Sequence, residues 1–264
     1  MKNFWLRLIT GVVFIVVVLG SILGNAYSGV FGVFVFIGML EFYKLLKDTK
    51  IKIQVGLGIT IGIYLYIITI PNCFEIIKNF GFLLLIPLII SVFITELFRK
   101  TETPILNIAA TLVMPLYVVL PFIFLINFDD YRLLMGFFII IWSSDTGAYL
   151  VGVKFGKRRL FERISPKKSW EGTIGGFIAS LLVSFVLSKF FDNLSLINWL
   201  VTGGIISIMG VFGDLTESMI KRSVNKKDSG NILPGHGGVL DRFDSVTFAA
   251  PMVYCYLMLI NYNY

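Results

Sequence analysis

Apolar residues in this chain come in long runs, separated by short polar stretches, rather than in alternation. Nine runs stand out: Phe4–Leu23, Tyr27–Phe42, Ile53–Ile70, Phe80–Phe98, Ile105–Ile126, Leu133–Val153, Gly172–Phe191, Leu196–Ile220 and Ser245–Ile260. Crossing a hydrocarbon layer of about 30 Å takes about 20 apolar residues in a helix. Only helices satisfy their own backbone polar groups in lipid without closing a barrel. The period-two alternation of a transmembrane barrel is absent from these runs. The pattern predicts an all-α, polytopic integral membrane protein with about nine transmembrane helices. Residues 1–130 read as an N-terminal transmembrane region with short connections, and residues 131–264 as the region that carries the chemistry. Together they read as one continuous membrane fold.

Composition supports this and adds a direction. The mean hydropathy is +0.85, and 25 of the 264 residues are Phe. Lys2 and Arg7 ahead of the first run, with Gly24 and Ala26 near its end, resemble a signal peptide. The length of that run and the spans that follow favour an uncleaved first helix. Of the 23 Lys and Arg residues, 18 fall in loops 44–52, 99–104, 154–171 and 221–244, all on one side if nine spans alternate. By the positive-inside rule that side is cytoplasmic, with the N-terminus inside and the C-terminus outside. The net charge of +7 therefore records topology and contact with anionic lipid heads, and nucleic acid is not needed to explain it. Cys73 and Cys255 have no CxxC spacing and predict neither a disulfide nor a zinc site.

Three polar constellations interrupt the apolar pattern. In the sixth run, Asp145, Tyr149 and Gly152 share a helical face beside Ser143, Ser144 and Thr146. A buried Asp braced by hydroxyls is the structural alternative, but an ionisable group inside a span is a functional candidate by default. The segment RISPKKSWEGTIGG, residues 163–176, places Lys167, Lys168, Ser169 and Glu171 ahead of the seventh run. Paired ammonium groups beside a helix N-terminus suit a phosphate, although interfacial lysines and a Trp would look similar. The third constellation is FGDLTESMIKR followed by the turn-rich stretch to Asp244. Asp214, Glu217, Ser218 and Lys221 lie on one helical face, where Glu217–Lys221 and Asp214–Lys221 or Asp214–Arg222 pairs are the simple expectation. Such pairs leave Asp228, Asp241 and Asp244 unexplained. Carboxylate oxygens near phosphate are a usual way to hold Mg²⁺, and PGHGG can present backbone N–H groups as an anion nest. His236, the one histidine, reads equally as a turn strut or a proton-transfer group.

The stretch Ser218–Asp244 resembles the signature of phosphatidate cytidylyltransferases. Its parts here are Ser218, Ile220, Lys221, Arg222, Lys227, Asp228, Gly230, Leu233, Pro234, His236, Gly237, Gly238, Val239, Asp241, Arg242, Phe243 and Asp244. The resemblance extends to Asp145–Tyr149 and Ser165–Gly172, roughly the second half of the chain. It implies transfer of CMP from CTP to phosphatidic acid in a multi-pass bacterial inner-membrane homodimer whose active site faces the cytoplasm. It also implies Mg²⁺ at Asp214 and Asp241, with a second cation for which K⁺ is the candidate. Asp214, Asp241, Lys221, Arg222 and Asp145 are the expected catalytic residues. Lys167, Lys168, Ser169, Glu171, Lys227, Asp228, His236, Gly237, Gly238, Arg242 and Asp244 are the expected substrate-binding residues.

Two other classes fit less of the pattern. A transporter would carry charges near mid-bilayer on several helices, whereas those of the first five runs are Arg7, Glu41 and Glu96, near run ends. A CTP-dependent lipid kinase or a cytidylyltransferase for another lipid phosphate would share much of the same site. A CDP-alcohol phosphotransferase would need a DGxxAR core, which is absent.

Overall fold

The computed structural model describes residues 2–71, 75–128, 130–232, 235 and 237–260. These residues are nearly all helical. The helices are α1 (Lys2–Leu23), α2 (Tyr27–Leu46), α3 (Val55–Thr69), α4 (Glu75–Arg99), α5 (Pro104–Val118), α6 (Leu120–Ile126), α7 (Tyr131–Phe155), α8 (Trp170–Phe190), α9 (Leu196–Ser223) and α10 (Leu240–Leu259). A short antiparallel hairpin, β1 (Arg159–Phe161) and β2 (Ser165–Ser169), lies between α7 and α8. The helices α5 and α6 make one apolar segment broken at Val119. Pro121 has no N–H to donate to the Tyr117 carbonyl one turn back, which accounts for the break.

Six segments among the described residues are long and apolar enough to cross a membrane: Tyr27–Leu46, Gly81–Arg99, Pro104–Ile126, Tyr131–Phe155, Trp170–Phe190 and Leu196–Ser223. The nine apolar runs thus reappear as helix, but three fall short as spans on these criteria. Ile9–Leu23 and Val55–Thr69 are apolar and shorter. At 1.5 Å per residue, the 15 residues of α3 reach only about 22 Å. The first turns of α10 carry Asp241, Arg242 and Asp244.

The chain divides into two compact units. One comprises residues 1–127 and 224–242, and the other 128–223 and 243–264. The stretch 224–242, grouped by sequence order with the second half, thus clusters with α1–α6.

In the first unit, α2, α3 and α5 pack together and α4 joins α3 and α5. Phe31, Val35, Met39 and Phe42 recur one helical turn apart along α2, and all are buried. Met39 fills the space that a side chain at Gly62 of α3 would need. A second anchor of this unit is polar. The buried Glu96 carboxylate accepts hydrogen bonds from Gln54 Nε2 (2.7 Å), Asn107 Nδ2 (2.7 Å), Thr101 Oγ1 (2.5 Å) and Arg99 Nη1 (2.9 Å). These donors tie the start of α3, the end of α4 and the start of α5 to one ion.

In the second unit, α7 and α8 share the most extensive contact and α9 packs on both. Small residues make the approach possible. A Cβ on Gly176 would stand 2.8 Å from the Ser144 carbonyl, and one on Gly172 would stand 2.9 Å from the Ala148 carbonyl. Ser144 and Ser207 hydrogen-bond between α7 and α9 at 2.9 Å. Without a hydrophobic drive between helices in lipid, such close contacts and hydrogen bonds hold the bundle. Replacing Gly176 by Val is expected to wedge α7 from α8 and cost about 1–3 kcal/mol. A lower melting temperature of the detergent-solubilised protein would register it. A melting curve matching the unsubstituted protein would contradict the packing.

Candidate active site

The second unit gathers carboxylates where α7, α9 and α10 meet. Asp214, Glu217 and Ser218 lie on the last turns of α9. The Ser218 hydroxyl donates to Asp214 Oδ1 at 3.2 Å, and Lys221 Nζ donates to Glu217 Oε2 at 2.5 Å. Asp244 lies within electrostatic reach of Asp214, Glu217 and Asp145. It comes this close because α9 offers no side chain at Gly213, where a Cβ would collide with the Asp244 carbonyl oxygen. A Cβ on Gly210 would likewise stand 3.3 Å from the Ser245 Cβ. Glycine on one helix thus sets how near the acids of two helices stand.

Cations enter from the β-hairpin. Lys168 on β2 pairs with Asp214 Oδ2. Ser169 caps α8, accepting from the Gly172 N–H at 3.1 Å, and Thr173 donates back to the Ser169 carbonyl. Glu171 accepts from the backbone N–H groups of Lys157 and Arg158 at 3.1–3.2 Å. Those bonds fasten the end of α7 to the start of α8 and fix the base of the hairpin that presents Lys168.

The two ion pairs differ in what they can contribute. The side chains of Lys221 and Glu217 are 10% and 2% exposed, and those of Lys168 and Asp214 are 26% and 28%. Breaking a buried pair leaves an uncompensated charge and costs about 3–5 kcal/mol. A partly solvated pair is worth about 0–1 kcal/mol. Glu217–Lys221 therefore belongs to the framework, whereas Lys168 and Asp214 can exchange partners at little cost to the fold. A phosphate or a cation can compete for them.

In the first unit, the glycine-rich turn folds around carboxylates of the chain itself. Asp241 Oδ2 accepts from Ser229 N (2.9 Å), Ser229 Oγ (2.9 Å) and Gly238 N (2.7 Å). Glu41, on α2 and fully buried, accepts from Val239 N and Leu240 N at 3.0 Å each. Gly237 has φ +82°, a left-handed conformation that glycine adopts without penalty. Of PGHGG, the Gly238 N–H donates to Asp241, and the amides that Glu41 accepts belong to Val239 and Leu240 just after it.

Residues 4–260 match the cytidylyltransferase family. The chain belongs to that family. It is 33% identical to the phosphatidate cytidylyltransferase of Bacillus subtilis (strain 168) over 270 residues, 97% of this chain and 98% of that one. It is 36% identical to the phosphatidate cytidylyltransferase of Staphylococcus haemolyticus (strain JCSC1435) over 221 residues, covering 82% and 85% of the two chains. Against the phosphatidate cytidylyltransferase of Haemophilus influenzae the identity is 49%, over 124 residues, 45% of this chain and 43% of that one.

Within this cytidylyltransferase fold, the expected site residues fall into two groups and a remainder. Asp145, Lys168, Asp214, Lys221 and Asp244 lie in the second unit, with Ser169 and Glu171 shaping the hairpin and the start of α8. Gly237, Gly238 and Asp241 lie in the first unit. Lys167, Arg222, Lys227, Asp228 and Arg242 are exposed. His236, Leu233, Pro234 and Cys73 lie outside the described residues, and Cys255 is exposed with a free thiol. Of the salt bridges expected on α9, Glu217–Lys221 forms, while Asp214 pairs with Lys168. Sequence reasoning missed Glu41 and Ser229 as members of the glycine-turn cluster. The one signal was a carboxylate near the end of an otherwise apolar run.

Lys168→Ala is expected to leave the protein folded, since the pair it breaks is partly solvated, and to lower turnover about 100-fold or more through loss of charge at the reacting phosphates. Melting temperature and initial rate, measured on the same preparation, check this. A large loss of stability with unchanged rate per folded molecule would reverse the assignment.

Proposed function

We propose that this protein transfers CMP from CTP to phosphatidic acid, forming CDP-diacylglycerol and pyrophosphate for phospholipid synthesis. The observation that carries the reading is similarity along 97% of the chain to a phosphatidate cytidylyltransferase. The side chains suit the chemistry. A phosphate oxygen of the lipid forms a bond to the α-phosphorus of CTP, and the bond from that phosphorus to the bridging oxygen of the β-phosphate breaks. Both reactants are anions, so their mutual repulsion is the main electrostatic obstacle, and positioned cations lower it. Lys168 stands beside Asp214 and is placed to exchange that carboxylate for a phosphate. Lys167, Arg222 and Arg242, all exposed, would take further phosphate oxygens, and Lys221 pairs with Glu217 one turn back on the same helix. A phosphate monoester is substantially ionised at pH 7, so the attacking oxygen needs no strong base.

Magnesium is the metal we assign to Asp214 and Asp241, with K⁺ as candidate for a second cation. The donor sets fit. Mg²⁺ keeps several waters and takes one or two carboxylates plus substrate phosphate, rather than an all-protein cage. Among the described residues no three acidic, His or Cys groups form such a cage. Asp214 stands near Asp244 with Lys168 as its partner, and Asp241 is oriented by three donors to one oxygen. When bound, the ion supplies charge neutralisation on the triphosphate.

The remaining parts of the reading concern setting. Counting α1, α3 and α10 as spans gives nine crossings of a bacterial inner membrane. The basic loops then lie on the cytoplasmic side, where CTP is dissolved, and the diacyl tails stay in lipid. A homodimer is the expected assembly.

Purified protein incubated with CTP, phosphatidic acid and Mg²⁺ is expected to yield lipid-linked CMP and pyrophosphate in equal amounts. A folded sample giving no CDP-diacylglycerol would sink the assignment, and a phosphorylated lipid with released CDP would indicate a kinase instead. Asp214→Asn and Asp241→Asn are each expected to abolish turnover while the protein stays folded. Chelation of divalent ions is expected to stop the wild-type reaction, and added Mg²⁺ to restore it.

A further inference from the structure

Glu41 belongs to the first half of the chain, far in sequence from every motif that the proposed reaction uses. Its carboxylate is fully buried near the end of α2, yet it forms no ion pair among those the structure shows. It receives backbone amides instead. Val239 N reaches Oε1 and Leu240 N reaches Oε2, each at 3.0 Å. These amides open α10, where the first N–H groups of a helix have no partner within it and the helix dipole favours an anion. Ser229 Oγ lies 3.4 Å from Glu41 Oε2 and 2.9 Å from Asp241 Oδ2, so one hydroxyl joins the two carboxylates.

The fit around Glu41 is also steric. A Cβ on Gly230 would stand 2.5 Å from Glu41 Oε1, and one on Gly238 would stand 2.5 Å from Oε2. Glu41 thus occupies the space that a side chain at Gly230 would need, and shares with Ser229 the space beside Gly238. A second tether lies one to two turns further along α2. Lys226 Nζ donates to the Lys44 carbonyl at 2.7 Å and to Asp48 at 3.1 Å. The end of α2 thus grips the glycine-rich loop at its entry, near its middle and at its exit into α10.

We infer that Glu41 is a positioning residue for the reaction: through Ser229, Val239 and Leu240 it holds the backbone beside Asp241, so that Asp241 is kept in the orientation its role requires. This rests on the reading of Asp241 as a metal-binding residue. Glu41 touches no substrate and carries no proton in this scheme. It acts through Ser229 and through the amides of Val239 and Leu240. An amide in place of the carboxylate would set a donor group against one of these donors, so Glu41→Gln removes the grip with little change in volume.

The test uses the full chain in detergent or nanodiscs and compares Glu41→Gln with Glu96→Gln, a second buried carboxylate of the same unit that does not touch the loop. Glu41→Gln is expected to speed hydrogen exchange across residues 229–242 by about tenfold or more. It is also expected to lower turnover about 10–100-fold and raise the Mg²⁺ concentration needed for half-maximal rate. Glu96→Gln is expected to lower the melting temperature while exchange in 229–242 and turnover per folded molecule stay at wild-type values. Wild-type exchange and turnover in Glu41→Gln would overturn the inference, as would the same response in both variants. If Glu41→Gln does not fold, Ser229→Ala carries the test. Faster exchange around 238–242 with reduced turnover supports the inference, and wild-type behaviour in both overturns it. Failure of the wild-type protein to make CDP-diacylglycerol would refute the proposed function, while the exchange comparison would still decide whether Glu41 holds the loop.

Discussion

A carboxylate removed from water loses its hydration, and in an apolar surrounding that loss is large unless donors replace it. Three buried carboxylates among the described residues meet the requirement in three ways. Glu217 takes an ammonium, Glu96 takes side-chain amides, a hydroxyl and a guanidinium, and Glu41 takes backbone amides and a hydroxyl. The bonds to Glu96 and Glu41 join separate segments that apolar packing alone would leave free to slide, while the Glu217 pair lies within α9. The polar groups of this protein are therefore part of its framework before they are part of its chemistry.

That distinction separates what could be read from the chain and what could not. Helical runs were legible because a long apolar stretch in lipid has few alternatives, and the glycine-rich motif was legible because its residue types are rare in such a setting. The number of crossings was less so: the apolar signal of α3 is strong, but its helix is short. The β1–β2 hairpin left no trace, since Pro166 and the neighbouring lysines show no alternation. Its strands are held by pairing with each other and by Glu171 on the amides of residues 157 and 158. Glu41 was seen only as a charge near the end of a run. Its partners are backbone N–H groups almost 200 positions away, and every residue has one of those.

The proposed reaction brings two anions together, and the second unit is built to accommodate charge that changes hands. Lys168 and Asp214 hold each other in a partly solvated setting, while Glu217 and Lys221, further along α9, are buried. A soft pair beside a stiff one lets ligands compete for Lys168 and Asp214 without breaking the buried pair. The first unit follows a different principle. There the loop is closed on its own acids, and order is built in before any substrate arrives, which lowers the entropy lost on binding.

The space shared by Glu41, Gly230 and Gly238 also bears on how this motif can vary. An added methyl group at either glycine collides with the tip of Glu41; a shorter residue at position 41 opens room for one at Gly230, whereas at Gly238 the Ser229 hydroxyl also stands in the way. The three positions thus behave as a single letter of the sequence, written in three places. A change at one becomes acceptable only in the company of a change at another. A search pattern built from the glycine motif alone omits the letter that stands in α2.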